Sequence, residues 1–377
     1  MFRSHAGSNR AIVLLIDGES DSFAPAFAAG IAAGGRMLHV LSSDPSSIIQ
    51  YSRFCSRFHH YDSGDVVGEI RKIRAAENVE VIVACSDTGI RFLAQHRAEL
   101  VELAAVMGTS GAESLAIARD KARFAEYLAT TDLPSPTTAV IRDGCFDRNQ
   151  LPPFPALLKP AFGIAGSGIR YLDSLSRLEA LAAEPGFSET PWVVQSFIPG
   201  TDIDVSVLCR DGRILAHTVQ VAFAPNAETF TPNYSIRLVH DDPALQVARE
   251  LVRALDWTGL AHMDLRRDAR DGRVLILELN GRFWASAYGS LAAGVNFPEL
   301  AVRDAKRESF PYPVYSDRNW VQLSLARRIN WASVSLRDLQ VVRHLKDPGP
   351  LLACRMRRGR RDTAEEGFGR TSELVRT

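Results

Sequence analysis

Cysteine is scarce in this 377-residue chain: Cys55, Cys85, Cys145, Cys209 and Cys354 are scattered, odd in number and never spaced Cys-x-x-Cys. That spacing excludes a disulfide framework and a zinc ribbon. Excess charge is also missing. Lys and Arg total 44 and Asp and Glu total 44, which argues against a dedicated nucleic-acid or anionic-membrane binder. No apolar run is long enough to cross a bilayer. The stretch Ala11 to Ile16 stops at Asp17 and is not followed by a signal-peptide cleavage region. The expectation is a soluble cytoplasmic protein without nucleic-acid or membrane partners. Lysine is rare as well. Only Lys72, Lys121, Lys159, Lys306 and Lys346 occur among the 44 basic residues, so a lysine in a distinctive setting carries more information than usual. An apolar share of 46% with a charged share of 23% excludes wholesale disorder.

The first hundred residues alternate strand and helix: Ala11 to Ile16, a helix over Phe23 to Ala33, Met37 to Leu41, Val79 to Ala84, then a helix from Thr88 to Arg97. This alternation predicts βαβ units and a parallel sheet. The first turn, Asp17-Gly18-Glu19-Ser20, lacks G-x-G-x-x-G, so a structural Rossmann-like lobe is expected rather than a dinucleotide site. One helix is expected over Glu113 to Thr130, ended by Asp132-Leu133-Pro134-Ser135-Pro136. A second lobe follows, with hairpins at Asp211-Gly212 and Asp271-Gly272, a helix over Pro243 to Leu255, and a glycine-interrupted helix over Ser290 to Asp304. Pro225 to Asp242 reads as a loop over a site. The tail, with Arg357, Arg358, Arg360 and Arg361, lacks interleaved aromatics and reads as solvated.

Three stretches carry chemistry. In the first, a strand ends at Lys159 and is followed by Gly163, Gly166, Ser167 and Gly168. Such a loop can aim backbone N–H groups at phosphate while the ammonium supplies counter-charge; a glycine-rich turn with a structural lysine is the alternative. Walker A is excluded, because no Gly-Lys-Ser/Thr closes the loop. The second runs from Gln195, Ser196, Phe197 and Ile198 into Asp202, Asp204 and Ser206, which alternate with Ile203, Val205 and Val207. Period two puts the polar set on one strand face. In the third, Leu260 to Arg266 and Leu275 to Asn280 alternate similarly, and Gly281-Arg282-Phe283-Trp284 follows. Glu278 and Asn280 leave one strand face about 7 Å apart. Paired as a hairpin in even register, the two strands bring Asp264 to the same face. An oxygen set of this kind holds hard cations, and carboxylates lacking a cation between them would repel.

Taken in order with Lys121, these stretches resemble the ATP-grasp superfamily over roughly Asp120 to Pro298, most closely its bacterial carboxylate–amine ligase or carboligase branch, akin to carbamoyl-phosphate synthetase. The fold class implied is α/β, with α+β character in the ATP-grasp part: an N-terminal Rossmann-like parallel sheet followed by a two-subdomain ATP-grasp fold. The expected divisions are a pre-ATP-grasp domain over 1–112, a small lobe with the glycine loop over 113–200, a large lobe over 201–308, and a C-terminal extension over 309–377. The resemblance implies ATP contacts from Lys121, Lys159, Gly163, Gly166, Ser167, Gly168, Gln195, Ser196, Phe197, Ile198 and Asp202. It implies one or two Mg²⁺ ions, or Mn²⁺ in their place, on Asp264, Glu278 and Asn280. Arg282 and Lys159 would act in catalysis, and Arg237 and Trp284 would face substrate. His262 lies on the same strand, where a structural hydrogen-bonding role is expected rather than that of a base. The chemistry implied is amide or peptide bond formation from small-molecule carboxylate and amine substrates through an acyl phosphate, releasing ADP and phosphate. A homodimer is common among such relatives. A catalytically silent ATP-binding scaffold or sensor, and a ligase with a non-amine acceptor, remain as alternatives. The chain departs from the pattern at Gln195, where Glu is common, and at Gly281, where Pro is common. Residues Phe223 to Arg237 also keep little of the expected basic glycine-rich loop.

Overall fold

The computed structural model describes residues 11–16, 23–62, 64–163, 166–223, 235–321, 347–350, 352, 353 and 356. The Asp17 turn, most of the Pro225 to Asp242 stretch and the clustered arginines of the tail lie outside them.

The first sheet is parallel, in the order β3-β2-β1-β4-β5, from β1 (Ile12–Ile16), β2 (Met37–Ser42), β3 (Cys55–His60), β4 (Val79–Ala84) and β5 (Ala105–Val106). Its centre, Ile-Val-Leu-Leu-Ile, is buried throughout, as a strand covered on both faces requires. β3 was not expected. As an edge strand with the sequence Cys-Ser-Arg-Phe-His-His, it lacks the apolar run that marks its neighbours.

The expected helix over Glu113 to Thr130 is two, Ala112–Arg119 and Lys121–Ala129. Asp120 separates them: its backbone is extended and its carboxylate accepts from the N–H groups of Ala122 and Arg123. An Asp at this point caps a new helix in preference to continuing the old one. The cap also sets Lys121 at the first helical position, and the Lys121 N–H bonds the Ala161 carbonyl at the end of the lysine strand.

The small lobe is an antiparallel sheet, β6-β9-β7-β8, from β6 (Thr138–Ile141), β7 (Ala156–Pro160), β8 (Arg170–Leu172) and β9 (Trp192–Ser196). The large sheet is antiparallel in the order β14-β13-β10-β11-β12-β15, from β10 (Gly200–Arg210), β11 (Arg213–Ala222), β12 (Ser235–Val239), β13 (Gly259–Asp268), β14 (Val274–Asn280) and β15 (Arg318–Val321). β12 lies within the stretch read as a loop, and β15 pairs with it. The glycine-interrupted helix is two helices, Ala287–Ala293 and Phe297–Ala305, parted at Gly294 with φ of 116°.

The first lobe is fastened onto these helices. Arg36 grips Glu299 through two hydrogen bonds of 2.6 and 2.8 Å. A Cβ on Gly30 would stand 2.6 Å from Pro298, so the helices touch through a glycine. Phe27 meets Phe283 edge to face at 5.1 Å, and the Phe283 N–H bonds the Cys85 carbonyl at the end of β4. The last link brings the end of β14 to the first lobe and thereby positions Arg282.

Candidate active site

The register of the large sheet assembles the polar residues. Asp204 pairs with Asp264 and Asp264 with Glu278, while Asp204 faces Gln220 on its other side. One step along, Ser206 pairs with His262, His262 with Asn280, and Ser206 with Thr218. Two polar rows thus cross four strands: Gln220–Asp204–Asp264–Glu278 and Thr218–Ser206–His262–Asn280. The intervening Ile203, Val205, Val207, Met263, Leu265 and Leu279 go into the core on the other face, where Trp257 lies. Asp264 does face Glu278 as inferred, but through a bulge: Leu265 pairs with Ile276, and Leu277 is skipped before Asp264 pairs with Glu278.

Two lysines close one end of this face. Lys121 Nζ lies 2.9 Å from a Glu278 carboxylate oxygen and donates to the Gly163 carbonyl at 3.0 Å. Lys159 Nζ donates to the Gln195 side-chain carbonyl at 2.6 Å, and the Gln195 amide N–H donates to Thr138 Oγ1 at 3.3 Å. Burial pushes the Lys159 ammonium down to about 8, although Glu278 favours its charge. Lys121, Lys159, Gly163, Gly166, Ser167 and Glu278 line a cavity of only about 30 Å³. A roomier cavity, of about 220 Å³, lies elsewhere, between Arg97, Thr109, Arg210 and Asp304. Gly166 and Gly168 have φ of 76° and 78°, a backbone region that favours glycine.

The middle of the face is crowded with acids. Burial, then the charges of Asp204 and Glu278, holds the Asp264 carboxyl well above the usual carboxylate range. Burial likewise raises Asp204 to about 7, although the Gln220 amide donates to it at 2.8 Å. Carboxylates set so close fit a divalent ion. Asp264 and Glu278 face each other across the strands and offer an ion two carboxylates; Asn280, one step along, turns its amide to Asp264 and its carbonyl to Arg282, and would have to release Arg282 to add a third oxygen. Arg282 stands at the edge: its Nη2 donates to Asn280 Oδ1 at 3.1 Å, its Nε donates to Asp87 at 3.1 Å, and its guanidinium lies 4.6 Å over the Phe23 ring. Asp87 opens a helix (Asp87–Gln95) capped by Ser86.

The other expected residues are placed as follows. Gln195, Ser196, Phe197 and Ile198 join the small lobe to the large sheet. The Ser196 and Phe197 N–H groups bond the carbonyls of Thr137 and Pro155, and the Ile198 carbonyl accepts from Arg266 at 2.5 Å. Asp202 pairs with Arg266, whose guanidinium lies 5.8 Å over Phe197. Trp284 is 2% exposed and stacks on His262 at 5.7 Å, so it supports that ring from behind and does not wall an open pocket. Arg237 is not brought to the site. It pairs with Val221, itself opposite Ile203, and therefore leaves the face away from Asp204, where it donates to Asn319 at 3.1 Å. In the other direction, the candidate set chosen from sequence left out Asp204, Gln220, His262, Arg266 and Asp87. Alternation along their own strands signalled Asp204, His262 and Arg266; Gln220 and Asp87 depend on which elements become neighbours.

Residues 118–286 match the model of the ATP-grasp domain family. It is 25% identical over 251 residues to the D-aspartate ligase of Enterococcus faecium, covering 59% of this chain and 58% of that protein. It is 26% identical over 215 residues to the carbamoyl phosphate synthase large chain of Archaeoglobus fulgidus, covering 53% of this chain and 19% of that one. The chain therefore spans just over half the length of the first relative and about a fifth of the second. Among solved structures, the N5-carboxyaminoimidazole synthetase of Staphylococcus aureus complexed with ADP superposes with a TM-score of 0.60 at 13% identity, covering 80% of this chain and 79% of that one. That likeness shows the fold.

Proposed function

We propose that this protein is an ATP-dependent carboxylate–amine ligase that forms an amide or peptide bond through an acyl phosphate and releases ADP and phosphate. The observation that carries the reading is the row Asp264–Glu278 with Asn280, flanked by Lys121 and Lys159 on one side and Arg282 on the other. A silent nucleotide-binding scaffold has no need of this combination. Phosphoryl transfer requires mainly positioning and charge neutralisation, which these groups provide. Mg²⁺, or Mn²⁺ in its place, held by Asp264, Glu278 and Asn280, would neutralise phosphate charge. Lys159 and Lys121 would bind the phosphates, with Gly163, Gly166, Ser167 and Gly168 closing over them. Gln195 to Ile198 and Asp202 would hold the nucleoside. The donor carboxylate oxygen attacks the γ-phosphorus and displaces ADP. Arg282, held by Asp87, then faces the acyl phosphate as the amine nitrogen attacks its carbonyl carbon and phosphate leaves.

The D-aspartate ligase likeness makes amino acids the first acceptors to test. We place the activity in the cytoplasm, where ATP and small substrates meet. No helix among the described residues is long and apolar enough to cross a membrane. The lobe divisions at 112/113, 200/201 and 308/309, and assembly as a homodimer, belong to the same proposal. The test is ADP and phosphate release from MgATP against carboxylates and amino acids, D-aspartate included, singly and in pairs. Release that requires a pair, with a product at the condensation mass, is the expected result. MgATP binding without turnover from any pair would favour the scaffold.

A further inference from the structure

Two imidazoles and a carboxylate converge at the edge of the first sheet. β2 and β3 run parallel, with His39 beside Arg57 and Leu41 beside His59. The two-residue period places His39, Arg57 and His59 on one face. Glu77 follows the helix Val66–Ala76 and is held at both ends: its N–H bonds the Ile73 carbonyl at 2.8 Å, and its own carbonyl accepts from Val79 at 2.9 Å. Its Oε2 lies 2.8 Å from His39 Nδ1, while its Oε1 pairs with the Arg57 guanidinium. His59 Nε2 stands 3.5 Å from the same His39 nitrogen. We propose that His39 Nδ1, His59 Nε2 and Glu77 Oε2 form a binding site for a divalent ion of the zinc class, remote from the acidic row.

Hydrogen bonding alone does not satisfy these three atoms. A proton on His39 Nδ1 serves Glu77, and His59 Nε2 is then left at 3.5 Å, beyond a normal hydrogen bond. A proton on His59 Nε2 aimed at His39 would instead turn the Nδ1 lone pair toward the Glu77 carboxylate at 2.8 Å, a repulsive contact. A cation between them uses all three lone pairs at once. The spacing is already near that of a coordination shell. Ligands about 2.0–2.1 Å from a tetrahedral zinc stand about 3.3–3.4 Å from one another, against 2.8 and 3.5 Å here, and all three ligand atoms fall within 4.8 Å. Imidazole donors favour zinc and its first-row neighbours over Mg²⁺. The fourth tetrahedral position is left to water.

The surroundings suit such an ion. His39 is 3% exposed, and burial holds both imidazoles below the ordinary histidine value, so each keeps a lone pair at neutral pH. Arg57 does not compete for the oxygen that faces the imidazoles. It holds Oε1 and orients the carboxylate from behind, as outer partners of metal ligands do. Its side chain is 61% exposed, so solvent and salt screen its charge. β3 is an edge strand without an apolar run. An ion bound to β2, β3 and the residue that ends the helix would fasten that edge to the rest of the lobe. Glu77 precedes β4, whereas Phe283 bonds Cys85 past the other end of that strand. The six residues of β4 span about 20 Å, so the site stands apart from the proposed ligase chemistry.

The experiment is Zn²⁺ binding to the full chain in excess MgCl₂, which fills oxygen-donor sites, followed by X-ray absorption at the zinc edge. The expected result is one Zn²⁺ per chain, with two imidazoles and no sulfur in its shell. His59→Gln should remove one imidazole and weaken binding at least about tenfold, the least that loss of even an outer partner costs. His60→Gln is the control: that ring meets the Ser43 carbonyl at 3.3 Å from the other strand face, and its loss should change neither result. Circular dichroism checks that the variants are folded, and the wild-type spectrum answers the question even if one is not. A chain that binds no zinc, a shell with sulfur or fewer than two imidazoles, or a spectrum unchanged in His59→Gln overturns the proposal. A failed ligase reading appears only in the ADP-release assay and is not confused with a failed site.

Discussion

Replacing Glu278 with Gln separates the catalytic from the structural meaning of the acidic row. In the folded chain Glu278 has one favourable neighbour and one unfavourable. Lys121 lies 2.9 Å away, both side chains being partly exposed, and such a pair contributes about 1 kcal/mol or less. Asp264, directly across the strands, is the unfavourable neighbour, but its carboxyl is held well above the usual carboxylate range and its proton relieves most of that repulsion. Glu278→Gln removes both effects, keeps the side-chain shape and leaves the apolar face of β14 untouched. The net change in stability is therefore within about 1 kcal/mol of zero, a shift in Tm of no more than roughly 4 °C. Turnover behaves differently. A carboxylate that helps hold the ion at the transferring phosphoryl group contributes several kcal/mol to the transition state, and about 4 kcal/mol is a thousandfold in rate. A coupled assay of ADP formation beside a thermal melt gives both numbers. Activity within tenfold of wild type would remove Glu278 from the metal site. A collapse of the fold would show that the row is structural.

Three further outcomes follow from the geometry. Lys159, at about 8, lies below the ordinary lysine value of 10.5. Between those pH values the unfolded chain holds a proton that the folded chain has lost, so this group's contribution to stability rises with pH there. On the proposed contact ATP requires the ammonium, so its Kd should rise about tenfold per pH unit above 8, and Gln195→Glu should move that break upward; calorimetry giving a flat profile to pH 9.5 would contradict it. Gly281 is explained by Trp257, which is 1% exposed and would meet a Cβ at 2.7 Å. Gly281→Ala should cost about 1–3 kcal/mol, less in a Trp257→Leu background, as denaturant melts would show. Asp87→Asn loosens Arg282, so kcat should fall about tenfold, as expected of lost positioning, with the KM for ATP unchanged; an equal change in both would place Asp87 in nucleotide binding instead.

Much of the site was legible before any fold was known, because strand periodicity is a local property. Alternation alone placed Glu278 and Asn280 on one face, but the turn at Asp271-Gly272 would by itself set Asp264 opposite Leu277, and a bulge that no local pattern announced brings Glu278 there instead. The central strand β1 announces itself through an unbroken apolar run, and β4 nearly does, with Glu80 its one polar residue. Edge elements do not: β3 and β15 take their place from hydrogen bonds to a neighbour, and their side chains carry little of that signal. Asp120 could have marked the break before Lys121, but its capping role competes with the helical pattern on either side.

Some assignments depended wholly on the tertiary structure. Arg237 looked suited to a substrate carboxylate, yet its pairing with Val221 sends it to the other face of the sheet. Gln220 and Ser286 join the site only because β10 lies between β13 and β11, and because the helix from Ala287 to Ala293 begins beside them. Asp87 meets Arg282 across 195 residues of sequence, since Phe283 is bonded to the end of β4. The sequence by itself determined which residues share a strand face, because that depends on a two-residue period. Which faces meet was decided by long-range packing, where side chains distant in sequence become each other's solvent.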